Sequence, residues 1–156
     1  MPKADPFRPT DDDARALAHR LIGQASHGAL AVLSDGAPSV TRIALTAGNG
    51  VFTTLISDLA GHTNALRLAP EASLLIGEPG KGDPLAHPRM TLQVTARFID
   101  KTDDNATAYL AGQPKAQLYI GFADFHLVRL TPNAALLNAG FGKAYRLTPA
   151  DLLEKT

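Results

Sequence analysis

Three short β-prone runs, GALAVL (28–33), SVTRIALT (39–46) and VFTTLI (51–56), are joined by Asp35-Gly36 and Asn49-Gly50. Both dipeptides supply the positive-φ positions of tight hairpin turns, so this stretch is committed to antiparallel pairing and reads as a three-stranded meander. The rhythm continues through ASLLIG (72–77), MTLQVTARFI (90–99), DFHLVRL (124–130) and, after an interruption at Pro132, AALLN (134–138), giving about seven short strands. In MTLQVTARFI, Thr91, Gln93, Thr95 and Arg97 alternate with apolar residues, so one face lines a core and the other meets solvent or a partner.

Helices punctuate the strands. Thr10 is a capping hydroxyl before Asp11, Asp12 and Asp13, whose carboxylates suit the positive end of a helix; Ala14, Leu17, Ala18, Leu21 and Ile22 recur at helical spacing, and Gly23 stops the run. GHTNALRLAP predicts a short helix ending before Pro70. Asp103, Asp104 and Asn105 open another through Leu110, and Gly112 and Pro114 reset the chain for a third in KAQLYI (115–120). Thr148, Pro149 and Asp151 cap a last turn, and EPGKGDPLAHP (78–88) is a polar, proline-broken loop. The expected class is α+β, mainly β, with a closed or partly closed barrel and peripheral helices in one domain spanning 1–156, residues 1–9 forming a flexible arm.

Composition narrows the function. With 156 residues, 45% of them hydrophobic, one core can be buried but two ordinary domains cannot. No cysteine is present, which removes disulfides, thiolate metal sites and a cysteine nucleophile. Fifteen basic residues balance fifteen acidic ones, so no global field attracts nucleic acid or an anionic membrane, and any phosphate site must be local. No apolar run reaches membrane-spanning length and MPKADPFRPTDDD lacks the order of a secretory leader, so a cytoplasmic protein is expected. His19, His27, His62, His87 and His126 include no i, i+4 pair, so no metal site is expected, and His19 and His126 read as structural or exposed.

Three stretches carry polar chemistry. Arg42 is a charge within an apolar strand: either a solvated outward residue or a guanidinium fork on an anion. Between 53 and 66, Thr54, Ser57, His62, Thr63 and Asn64 crowd polar groups between a strand end and a helix start, a ready phosphate site, although Ser57 and Thr63 can equally be caps or turn residues. In AGFGKAYRL (139–147), two glycines around Phe141 permit close backbone approach and Lys143 follows.

Taken in order, GALAVLSDGAPSVTRIAL, LISDLAGHTNALRLAPEASLLIGE, GDPLAHPRMTLQVTARF, YIGFADFHLVRLTP and AGFGKAYRL resemble the pyridoxamine 5′-phosphate oxidase-like split barrels that bind flavin mononucleotide (FMN), in particular the branch associated with haem utilisation. The resemblance covers 28–147. It implies an FMN-binding split β-barrel, a homodimer with FMN in the inter-subunit clefts, and a phosphate clamp from Arg42, Thr54, Ser57, His62, Thr63 and Asn64. Arg89 and Thr91 would lie along the flavin, and Phe141, Gly142 and Lys143 would approach its ring from the far side, Lys143 tuning its electronics. The sequence departs from the family where Asn64 directly follows Thr63 and where Asp58 and Leu59, rather than an Arg-Lys pair, follow Ser57. The function implied is an FMN-dependent oxidoreductase acting with a small-molecule substrate or electron donor. The alternative is a protein that binds or stores flavin or haem without turnover.

Overall fold

In the computed structural model, which describes residues 3–154, the elements run β1 (Phe7–Arg8), α1 (Asp12–Gln24), β2 (His27–Ser34), β3 (Ala37–Ala44), β4 (Thr46–Gly48), β5 (Val51–Ser57), α2 (Gly61–Leu68), β6 (Glu71–Ile76), β7 (Arg89–Ile99), α3 (Asp103–Gly112), β8 (Phe125–Asn138), β9 (Ala144–Leu147) and α4 (Pro149–Leu152). Asp35 and Gly36, and again Asn49 and Gly50, all take positive φ, as tight hairpin turns require. They close two separate hairpins, β2–β3 and β4–β5, rather than one meander. The expected strand 39–46 breaks at Leu45, which is buried, donates its N–H to Ser26 O and accepts from the Gln113 side chain. The bend sends β5 away from β3 to pair with β8.

One open sheet results, in the order β1-β9-β8-β7-β6-β2-β3, with β5 joining β8 and β4 joining β5. Strand β8 is continuous where two strands were expected. Pro132 sits at a register shift opposite Gln93 and Val94, a bulge that needs no amide N–H from it, and Asn133 donates to Thr95 Oγ1 at 2.8 Å. Its first half pairs with β5, its second with β9, and β7 spans both. Between β3 and β5 no ladder forms; the gap is bridged by the wholly buried Thr54, whose hydroxyl donates to Ala44 O at 2.7 Å. This is a split barrel, mainly β with four helices. Among the described residues no helix is long and apolar enough to cross a membrane.

Leu30, Phe52, Leu74, Met90, Leu92 and Leu130 fill the barrel, and α1 and α2 close onto it with Ala18, Ile22, Ala65 and Leu66. A second apolar cluster lies on the other side of β5 and β8, where Leu55 and Leu127 pack under Tyr109 of α3 and Ile120. Burial there pushes the Tyr109 phenol up to about 12. KAQLYI forms a 3-10 turn, Pro114–Leu118, instead of an α-helix.

At the N-terminus Asp11, not Thr10, caps α1: its carboxylate accepts the Ala14 N–H at 2.8 Å, while the Thr10 hydroxyl donates to Arg146 O. Within the stretch expected as an arm, Phe7–Arg8 pairs in parallel with Ala144–Tyr145, and the Arg146 guanidinium lies 3.7 Å from the Phe7 ring centroid; Met1 and Pro2 fall outside the described residues, as do Lys155 and Thr156 of the expected 1–156 domain. Thr148 and Asp151 form the capping box of α4. Asp151 also accepts from Arg15 Nε at 2.8 Å, and His19 Nε2 lies 2.8 Å from Asp151 O, so His19 ties α1 to the C-terminal turn.

Thr54→Val keeps the shape of the buried side chain but removes the bridge across the gap. It should cost about 1–3 kcal/mol in urea unfolding, the scale for a lost buried hydrogen bond.

Candidate functional site

Strand register sorts the predicted residues. Arg42, Ala29, Leu75, Thr91, Leu136 and Arg146 are successive cross-strand neighbours from β3 to β9 and share the outer face of the sheet. Arg42 and Thr91 thus look out from the same face but stand three strand spacings apart, about 14 Å. The neighbouring row, Val40, Ala31, Ser73, Gln93 and Ala134, lies on that face too. Leu33, Val40, Leu75 and Leu136 are all exposed here, an apolar strip across a face that the helices leave open.

At one end of this face, α1 and the chain after β6 wall in a cavity of about 400 Å³. Its apolar walls come from Leu17, Leu21, Ala29, Leu75 and Pro88, and Arg20, Gln24, His27, Arg42 and Glu78 supply its polar groups. Gly77 turns the chain at its rim with φ +116°, where a Cβ would lie 2.7 Å from the Arg89 Cα, so only glycine lets the end of β6 pass so close to β7. His27 Nε2 and Glu78 Oε2 are 2.8 Å apart. Arg42 is therefore a cavity residue, whereas Arg20, Gln24, His27 and Glu78 were not anticipated. A signal for two of them existed: Leu17, Arg20, Leu21 and Gln24 are spaced as one helical face.

The Ser57–Asn64 stretch is a second locality, outside that cavity. Ser57 Oγ accepts the Leu59 N–H, and the buried Thr63 hydroxyl donates to Ser57 O at 2.6 Å, so both behave as turn residues, the simpler of the two readings. Asn64 is exposed. Asp58 accepts from, or pairs with, His126 Nε2 at 2.8 Å and lies 3.7 Å from Arg67, whose guanidinium stacks over Phe98. His126 is thus the half-buried partner of this carboxylate. Helix α2 starts at Ala60 without a side-chain cap, and a Cβ on Gly61 would meet open space. Beside it, His62 Nδ1 lies 3.0 Å from Thr41 Oγ1, while its buried Nε2 has no partner. Burial holds the His62 imidazole below its ordinary range.

Arg89, Phe141, Gly142 and Lys143 form a third locality. Arg89 pairs with Asn138 and its guanidinium donates to the carbonyls of Leu85 and His87. The 139–143 turn is closed by Ala139 N–H to Lys143 O at 2.8 Å, with Gly140 and Gly142 at positive φ and Phe141 exposed at its tip. A single subunit thus gathers Arg42 with the Pro88 end of the loop, but leaves His62 and its neighbours apart. Among the described residues no cluster of His, Asp and Glu has the arrangement of a metal site.

No family profile matches the chain. It is 26% identical to the haem oxygenase HutZ of Vibrio cholerae over 128 residues, 78% of this chain and 73% of that protein. One solved structure shares 41% identity over 95% of this chain and 100% of its own, with a TM-score of 0.87. A haem-binding protein from Mycobacterium smegmatis shares 27% over 94% of this chain, with a TM-score of 0.82, and this chain spans 61% of it. A Clostridium acetobutylicum protein of the pyridoxine phosphate oxidase family, 12% identical over 92% of this chain and 99% of its own, has the same fold with a TM-score of 0.72. Strand order, open gap and likenesses agree: the chain has the split-barrel fold of the pyridoxine phosphate oxidase-family structure and is similar in sequence to proteins named for haem.

Proposed function

We propose that this protein binds haem on the outer face of its barrel, as a homodimer. The observation that carries the reading is the cavity beside that face, which combines apolar walls with guanidinium groups at Arg20 and Arg42. Its one lining carboxylate, Glu78, is held by His27. These residues fit a flat apolar body bearing peripheral carboxylates, and two relatives are named for haem. Leu33, Val40, Leu75 and Leu136 suit a second copy of the same face, an isologous contact. Hemin titrated into the purified full chain should give a saturable shift of the Soret band; a spectrum equal to free hemin would remove the reading. In sedimentation the protein should run as a dimer, and Val40→Lys, which places a charge on the strip, should shift it to monomer.

A second reading, FMN binding by an oxidoreductase, is favoured by the uncapped α2 start and the orphaned His62 Nε2. Backbone N–H groups and an imidazole there suit a phosphate, with Arg89, Thr91 and the Phe141–Lys143 turn of a second subunit near the flavin. Because the folded His62 pKa is depressed, the unfolded chain binds a proton that the folded one does not. Stability should therefore fall as pH drops below about 6.5, and His62→Gln should remove that part of the slope in thermal melts. A phosphate at Nε2 favours the imidazolium, so FMN should raise Tm more at pH 5.5 than at pH 7.5, about one unit either side of the ordinary imidazole pKa. No FMN-dependent rise at either pH would eliminate the second reading.

A further inference from the structure

Resting on the haem reading, we infer that Arg20 and Arg42 are paired carboxylate anchors, and that the cavity between them selects ligands with an apolar body and two acidic arms. Arg20 projects from α1 and Arg42 from β3, so the two guanidiniums reach one cavity from separate elements. Neither has a carboxylate within salt-bridge distance among the described residues, whereas Arg15, Arg67 and Arg146 each do. The lining carries two guanidiniums against one carboxylate, Glu78, whose Oε2 lies 2.8 Å from His27 Nε2. Gln24, one helical turn beyond Arg20, adds an amide that can donate to the same arm.

Leu17 and Leu21 on α1 and Ala29 and Leu75 on the sheet offer an apolar wall to the body of the ligand. An amphipathic molecule thus enters body first, with its acids at the rim. Planar guanidinium forks hold carboxylates in two parallel hydrogen bonds, which fixes orientation as well as affinity. Haem, with two propionates on one edge, has this chemistry, and its two acids distinguish it from a singly charged lipid acid. Neither arginine is buried, so replacing them leaves the fold intact.

The test compares hemin with its dimethyl ester, titrated by Soret absorbance into the full chain and into Arg20→Gln, Arg42→Gln and, as a charge control on the same sheet face, Arg97→Gln. Each cavity substitution should weaken hemin by about tenfold, the scale of one lost charge-assisted interaction. The ester should bind the unaltered protein more weakly than hemin and be indifferent to both substitutions, and Arg97→Gln should bind hemin normally. Equal binding of acid and ester, unaltered hemin affinity in both variants, or an equal loss in Arg97→Gln would overturn the anchors while leaving haem binding in place. Failure of the unaltered protein to bind hemin at all would overturn the haem reading and the anchors with it.

Discussion

Strand β8 pairs with β7 on one edge and on the other changes partner from β5 to β9, and the rest of the molecule is arranged by that fact. Its first half lies between β5 and β7 and its second between β9 and β7, so one strand belongs to the barrel wall and to the outer sheet at once. The change of partner is made possible where Pro132 and Asn133 disturb the ladder with β7. A bulge increases local twist, and the added twist lets β5 curl inward while β9 continues outward. A regular strand at this point would keep both partners in one plane and leave Phe52 and Leu130 without a closed interior.

Closure is then incomplete by construction. Because Leu45 turns the chain away, β3 ends without a ladder to β5, and the gap is crossed by the side-chain bond of Thr54 to Ala44 O. The outer sheet from β3 to β9 stays open on one face, since α1 and α2 close onto the barrel and α3 covers the far side of β5 and β8. An open face with an apolar strip and a helix at its rim is where a cleft can form. The candidate cavity sits there, at the rim where α1 meets β2, β3 and the end of β6.

Local features were legible in the sequence and long-range ones were not. The two glycine turns, the outward row of Thr91, Gln93, Thr95 and Arg97, and the Thr148–Asp151 cap depend on residues within a few positions of one another, and all are present. The joining of 124–130 to 134–138 was missed because a proline that breaks a regular strand is tolerated at a bulge, and only the partner strand reveals the bulge. Thr10 lost the cap to Asp11 for a similar reason: both have capping side chains, and the contact of Thr10 with Arg146, 136 residues away, decided between them. Of the residues singled out as a binding site, Thr54, Ser57 and Thr63 have hydroxyls engaged with the backbone or the turn, and Arg42 alone lines the cavity; the helical face of Leu17, Arg20, Leu21 and Gln24 was readable, but its meeting with β3 and the end of β6 is a long-range fact.

Charge placement separates the two localities more sharply than distance does. Asp58 stands where a basic residue would favour a phosphate, yet it forms pairs with His126 and Arg67, and Arg67 in turn stacks on Phe98. That arrangement places His126 and Arg67 against the carboxylate, so a phosphate at the α2 start would meet backbone N–H groups and the imidazole of His62. Around the cavity two arginines face one lining carboxylate, Glu78, which lies against His27. A ligand that joins acidic groups to apolar surface would find partners for both at the cavity, where two arginines stand beside Leu17, Leu21 and Leu75.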